Sequence, residues 1–175
     1  MKKLLSVLVI CSLMTVLFGV GATTASASTG DKYILVNYDS GKGLTTNCDN
    51  IQQNDLVLNN NQTWHIVEKG TTCDNRKYYT IENYASGKVM GVENSSTARY
   101  ANVQQECYTG CDNQLWFIDY CETKDFAAYY HIENKNSGKL LSVAAPYGAE
   151  GSNVQQYENC NYRDQLWAIL SLEDH

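Results

Sequence analysis

The residues of this 175-residue chain that could do chemistry include Cys107 and Cys111 in the stretch CYTGC, three histidines and 19 acidic side chains. Their arrangement points away from the common reactions. CYTGC puts three residues between its sulfurs and has no neighbouring His, a poor match to zinc-ligand spacing. His65 and His131 fall in strand-like, apolar surroundings and His175 is terminal, so the imidazoles form no metal set. There is no glycine-rich phosphate loop, no H-E-x-x-H and no G-x-S-x-G. No two acids stand out by spacing as the pair that glycoside hydrolysis needs. These absences predict a protein that is not an enzyme and that carries no cofactor or metal.

What recurs instead is amide beside aromatic. A Gln pair stands at Gln52, Gln104 and Gln155, and a Q-x-W follows as QTW at Gln62, QLW at Gln114 and QLW at Gln165. The first Gln of each pair lies 12 residues before a Trp, and Trp64, Trp116 and Trp167 are 52 and 51 residues apart. Every Trp of the chain falls at this position. Three copies in register are an internal repeat, the strongest organising signal here.

The elements that must hold these groups are strands. Each unit opens on YILVN, YTIEN or YHIEN, at Tyr33, Tyr79 and Tyr130, with the alternation of a half-buried strand. An Asn-x-x-Ser-Gly-Lys turn follows, with its Ser at Ser40, Ser86 and Ser137; Gly can take the positive φ that such a turn needs. KGLTT, KVMGV and KLLSV read as second strands, IQQ or VQQ opens a third, and WHIV, WFID and WAIL form a fourth. The Lys-to-Gln stretch is six residues shorter in the first unit, which places the length variation in one loop. The expected fold is all-β: three units of four short strands, over about 32–70, 78–120 and 129–172, closing into a hairpin-capped barrel with threefold pseudosymmetry. Trp64, Trp116 and Trp167 are expected in the shared core. A solenoid would leave open edges.

The start of the chain reads as targeting. Lys2 and Lys3 precede a nearly apolar run from Leu4 to Val20, and Ala25-Ser26-Ala27 is a small-residue cleavage site. This predicts a secretory signal peptide over 1–27, a mature domain over 28–175, an extracellular location and no membrane span. The mature chain would carry 11 basic and 19 acidic residues, a net charge of 11 − 19 = −8, which opposes binding to nucleic acid. Its six Cys favour disulfides in an oxidising compartment. Proximity suggests Cys48 with Cys73, and Cys121 with Cys107 or Cys111, among fifteen possible pairings.

The pattern resembles the ricin B-chain family of β-trefoil lectins. The residues that carry the resemblance are NYDSGK, NYASGK and NKNSGK, then IQQN, VQQE and VQQY, then NQTW, NQLW and DQLW. They span roughly Lys32 to Leu172. The resemblance implies a secreted carbohydrate-binding module with one shallow pocket per repeat, its partners being glycans or glycoproteins and, in addition, a separately encoded toxin or hydrolase component.

In the family, a ring two residues beyond the Gln of V-Q stacks under the sugar. An Asp after the second strand and a polar residue before the Q-x-W Gln then take its hydroxyls. Here the third repeat keeps Gln155 and Tyr157 and has Asp164 and Gln165 where Asn-Gln is usual. The second keeps Gln104, Asn113 and Gln114 but has Glu106 at the ring position. The first has Gln52, Asn54 and Asn61. The expected Asp is replaced by Thr45, Gly91 and Ser142. The implied carbohydrate-binding set is therefore Ser142, Gln155, Tyr157, Asp164 and Gln165, with Gln104, Asn113 and Gln114 as a weaker second site. In the second, Tyr108 is a candidate to supply the missing ring. The alternative reading is a trefoil with degenerate sugar sites that binds protein, as a subunit or inhibitor.

Overall fold

A computed structural model describes residues 31–172. The signal-peptide and cleavage readings, and His175, lie outside the described residues.

Twelve strands form, four per repeat. The first repeat holds β1 (Lys32–Asn37), β2 (Gly43–Asn47), β3 (Asn50–Asn54) and β4 (Trp64–Thr71). The second holds β5 (Lys77–Asn83), β6 (Val89–Val92), β7 (Val103–Glu106) and β8 (Trp116–Lys124). The third holds β9 (Ala127–Asn134), β10 (Leu140–Val143), β11 (Val154–Tyr157) and β12 (Trp167–Leu172). The helical content among the described residues is limited to three-residue 3-10 turns, one before each Trp and one at Glu93–Ser95.

The first and fourth strands make the barrel. β1 pairs with β4, β4 with β5, β5 with β8, β8 with β9, and β9 with β12. β12 returns to β1 over Lys32↔Leu172 to Asn37↔Trp167. The ring of six strands is thus closed, and it has no free edge of the kind an open sheet exposes. In each repeat the opening tyrosine faces the tryptophan across the barrel wall: Tyr33↔Trp64, Tyr79↔Trp116, Tyr130↔Trp167. Partial burial raises all three phenols above their ordinary range.

The second and third strands form three hairpins that cap one end. They meet through Asn50↔Gln104, Asn102↔Gln155 and Asn153↔Gln52. The side chains of Asn50, Asn102 and Asn153 close a cyclic set of hydrogen bonds of 2.8, 3.1 and 2.9 Å where the three repeats converge.

The core is built in threes. Leu35, Ile81 and Ile132 come from the first strands, Leu44, Met90 and Leu141 from the second, and Ile51, Val103 and Val154 from the third. Trp64, Trp116 and Trp167 complete it, and all twelve side chains are fully buried. Each indole donates its N–H to a second-strand carbonyl: Leu44 at 3.2 Å, Met90 at 2.9 Å and Leu141 at 3.0 Å. No repeat could enclose such a set alone, which is why the repeats depend on one another. This is the β-trefoil expected from the sequence.

Among the described residues the expected disulfides are absent: the six cysteines there are free, and five of them are exposed. Sequence proximity misled for a geometric reason. Cys48 turns the β2–β3 hairpin at the cap, whereas Cys73 lies beyond β4, whose eight residues span about 26 Å of barrel. Cys121 sits part-way down β8, while Cys107 and Cys111 lie in the loop after β7 at the cap.

Candidate functional site

Each repeat lays down the same frame before it offers anything to a ligand. Asn37, Asn83 and Asn134 end the first strands, 0–1% exposed. Their Oδ1 atoms accept from backbone N–H groups two and three residues on, at 3.1–3.3 Å, and fix the Ser-Gly turn. Their Nδ2 atoms donate to Asp164, Asn61 and Asn113 carbonyls, tying that turn to the Q-x-W of another repeat for all three. The turn's serine then donates to the second Gln of the pair: Ser40 to Gln53, Ser86 to Gln105, Ser137 to Gln156, at 2.6–2.7 Å. Those glutamines are buried, and their amide N–H groups reach a loop of the adjoining repeat. Gln53 binds the Tyr147 and Ala149 carbonyls, Gln105 that of Cys48, and Gln156 those of Ser96 and Ala98.

The Q-x-W glutamines are equally committed. Gln165 is fully buried; it accepts from Cys160 and Tyr162 and donates to the Glu158 carbonyl at 2.6 Å. Gln114 accepts from Thr109 at 2.7 Å and donates to the Cys107 carbonyl at 2.8 Å. Both ends of each amide are used within the loop that precedes the Trp. Gln114 and Gln165 therefore shape the site without facing it.

In the third repeat, Ser142 stands opposite Gln155, and Leu140 opposite Tyr157. Alternate residues of a strand share a face, so Ser142, Gln155 and Tyr157 lie on one side of the β10–β11 hairpin. Asp164 joins them from the turn before Trp167: Ser142 donates its hydroxyl to Asp164 Oδ2 at 2.5 Å. Asp164 is 7% exposed. Burial raises its carboxyl above the ordinary range, and the Ser142 hydrogen bond opposes that rise. Tyr157 does not stand alone. The Tyr100 ring lies 5.0 Å from it, tilted by 46°, and the Arg99 guanidinium is 5.7 Å from the Tyr157 ring. Tyr157's hydroxyl first, then Arg99, draws the Tyr100 phenol below its ordinary range, while Tyr100 pushes Tyr157 up. A ring, a buried carboxylate with its serine, and a half-buried amide are thus gathered on one surface. That donor and acceptor set suits a neutral polyol with one apolar face.

The second repeat is filled from within. Asn113 donates to the Val92 carbonyl at 3.0 Å and to Glu106 Oε1 at 2.9 Å. A Cβ at Gly91 would overlap that same carboxylate oxygen, so the missing side chain at Gly91 is what lets Glu106 fold in. A carboxylate is supplied here, from the ring position rather than from the strand. Gln104 faces Gly91 across the hairpin. Tyr108 lies beneath the Lys69 ammonium, 5.0 Å from its ring centre. In the first repeat Gln62 donates to Thr45 at 2.9 Å, Asn54 accepts from Gln52 and from the Gly151 N–H, and Leu56 leans over Gly43. Its polar groups are spent on one another.

Three contributors escaped the reading by motif. The second Gln of each pair carries the loops, and its signal was present, since QQ recurs in all three units. Glu106 places a carboxylate oxygen where a side chain at Gly91 would stand, a contact visible only once the β6–β7 hairpin is formed. Tyr100 comes from outside the motif, in the loop between β6 and β7.

A closed six-stranded barrel, a three-hairpin cap and one polar surface per repeat define a β-trefoil of the lectin type. The family described as ricin-type beta-trefoil lectin domain-like matches residues 22–106, 60–157 and 112–175, and this chain belongs to it. Among solved structures, the designed threefold-symmetric protein ThreeFoil is 35% identical, with a TM-score of 0.72 over 81% of this chain and 99% of that one. An exo-beta-1,3-galactanase from Clostridium thermocellum is 26% identical, with a TM-score of 0.73 over 86% of this chain but only 32% of that one. The ricin B-like lectin of Macrolepiota procera, solved with lactose, shares the fold at 19% identity and a TM-score of 0.64 over 83% and 98%. No curated protein sequence matches the chain. Among the described residues no helix is long and apolar enough to cross a membrane.

Proposed function

We propose that this protein is a secreted carbohydrate-binding module whose working site is in the third repeat. The observation that carries the reading is the shared face of Ser142, Gln155 and Tyr157, with Asp164 hydrogen-bonded to Ser142 at 2.5 Å. Tyr157 stacks under the apolar face of a sugar. Asp164 accepts a hydroxyl on its free lone pairs, oriented by Ser142, and Gln155 takes a second. Because the frame is already hydrogen-bonded, little ordering is left to binding. Family membership and likeness to part of a galactanase support a glycan as the ligand; the proposed role is delivery, beside a separately encoded hydrolase or toxin component.

A glycan array tests this. Wild type is expected to score, and Tyr157→Ala to lose at least about tenfold in affinity, the order of a stacked ring plus its excluded water. Wild type without a hit at millimolar strength would reject the site. The filling of the first and second repeats by Leu56 and Glu106 favours one other reading, a trefoil with decayed pockets that binds protein, and a blank array would leave that reading standing.

A further inference from the structure

Residue 100 has the same place in the second repeat as Gly151 in the third and Cys48 in the first, each with a positive φ: +65°, +74° and +54°. Glycine is the residue such a backbone favours. A tyrosine there is strained, and the residue is 59% exposed, so burial does not account for it. What its side chain does gain is contact with Tyr157, at 5.0 Å between ring centres. The loop that presents it is held firmly. Tyr100 N–H donates to the Gln156 carbonyl at 2.9 Å, Gln156 N–H to the Ala101 carbonyl at 3.0 Å, and the Gln156 amide to Ser96 and Ala98.

The pairing is specific to one repeat. Each loop between second and third strands lies against the third strand of the next repeat. The first-repeat loop brings Cys48 toward β7, where the ring position is Glu106. The third-repeat loop brings Gly151 to β3, where the ring position is Asn54 and accepts its N–H at 3.1 Å. Only beside β11 do an aromatic at the ring position and an aromatic from the adjoining loop coincide.

We infer that Tyr100 is a second aromatic subsite that extends the Tyr157 platform, so that the third-repeat site takes an oligosaccharide of at least two sugar units in preference to a monosaccharide. This rests on the carbohydrate reading above. The centre-to-centre distance of the rings is close to that of neighbouring pyranoses in a chain, and their 46° tilt makes a bent surface suited to a twisted glycan. The backbone strain at Tyr100 is held by the surrounding hydrogen bonds of Gln156 to Tyr100, Ala101, Ser96 and Ala98.

The test uses calorimetric or NMR titration with two probe series, galactose to β-1,3-galactotriose and xylose to xylotriose. Wild type is expected to bind a disaccharide about 3- to 10-fold more tightly than its monosaccharide, the scale of one added aromatic contact. Tyr100→Gly, which relaxes the backbone while removing the ring, should erase that gain and leave monosaccharide affinity within about twofold. Tyr100→Phe should keep the gain, and Tyr157→Ala should abolish both. Equal affinity for mono- and disaccharide, or an equal loss for both in Tyr100→Gly, would overturn the subsite while leaving the Tyr157 site intact. No binding of either series by wild type would overturn both.

Discussion

Asp164 and Asn113 stand at the same place in successive repeats, yet only one can ionise. Asn113 shows that an amide fits, donating to Val92 at 3.0 Å, and Val143 holds the matching position beside Asp164. Burial raises the Asp164 carboxyl above its usual 3.8, so the folded chain holds that proton more tightly than the unfolded one. Stability associated with the neutral form is therefore lost as pH rises from 3.8 through the raised value, and above it the cost of the buried charge is constant. Asp164→Asn removes this slope. Thermal melts should show its advantage over wild type absent well below pH 3.8 and full at neutrality, whereas glycan binding at neutral pH should fall. A pH-independent difference in melting temperature would contradict the assignment. Ser142 belongs to the same argument, because its hydroxyl is what makes the carboxylate tolerable there.

At the scale of elements, the two glutamines of each QQ pair differ in duty although the sequence prints them side by side. Gln156 faces inward, fully buried, and joins the Ser137 turn to the 96–101 loop. Gln155 faces outward on the hairpin, half-buried, with no side-chain hydrogen bond among the described residues. Gln156→Ala strands a serine hydroxyl and two carbonyls, and should cost about 2–4 kcal/mol in denaturant unfolding. Gln155→Ala should cost under about 1 kcal/mol while weakening binding. Gly91 makes a parallel case in β6. Gly91→Ala should push the Glu106 carboxylate off Asn113 and destabilise by about 1–3 kcal/mol, since the added methyl has no room unless the acid moves.

For the molecule as a whole, closure is the governing fact. Lys32 and Leu172 are paired neighbours on β1 and β12, so the ends of the described chain lie side by side. The β8–β9 hairpin tip at Asp125 and Phe126 is exposed, both residues having positive φ. A circular permutant joined across the old ends and opened at that tip should fold to the same barrel, with a melting temperature within about 10 °C of the parent, by circular dichroism. Trp116→Ala, by contrast, opens the shared centre and should cost about 3–5 kcal/mol, lowering the melting temperature cooperatively for all three repeats.

Most of the fold was legible because its determinants are local and recur. Alternating apolar residues set the strands, Asn-x-x-Ser-Gly-Lys set the turns, and a Trp every 51 or 52 residues fixed the register of three units that must share one core. Tertiary structure alone decided which side chains face the candidate site. Gln165 and Gln155 are indistinguishable as letters, and only the loop folded around Gln165 shows its amide to be spent. Glu106 folds in to accept from Asn113 because Gly91 carries no side chain to block it, and Tyr100 meets Tyr157 because the capping hairpins interlock. The cysteines divide the same way: their number pointed to bridges, and the described cysteines are free, with the length of β4 separating Cys48 from Cys73. Periodicity specifies the repeated frame, whereas contacts between repeats arise from closure, which no single repeat encodes.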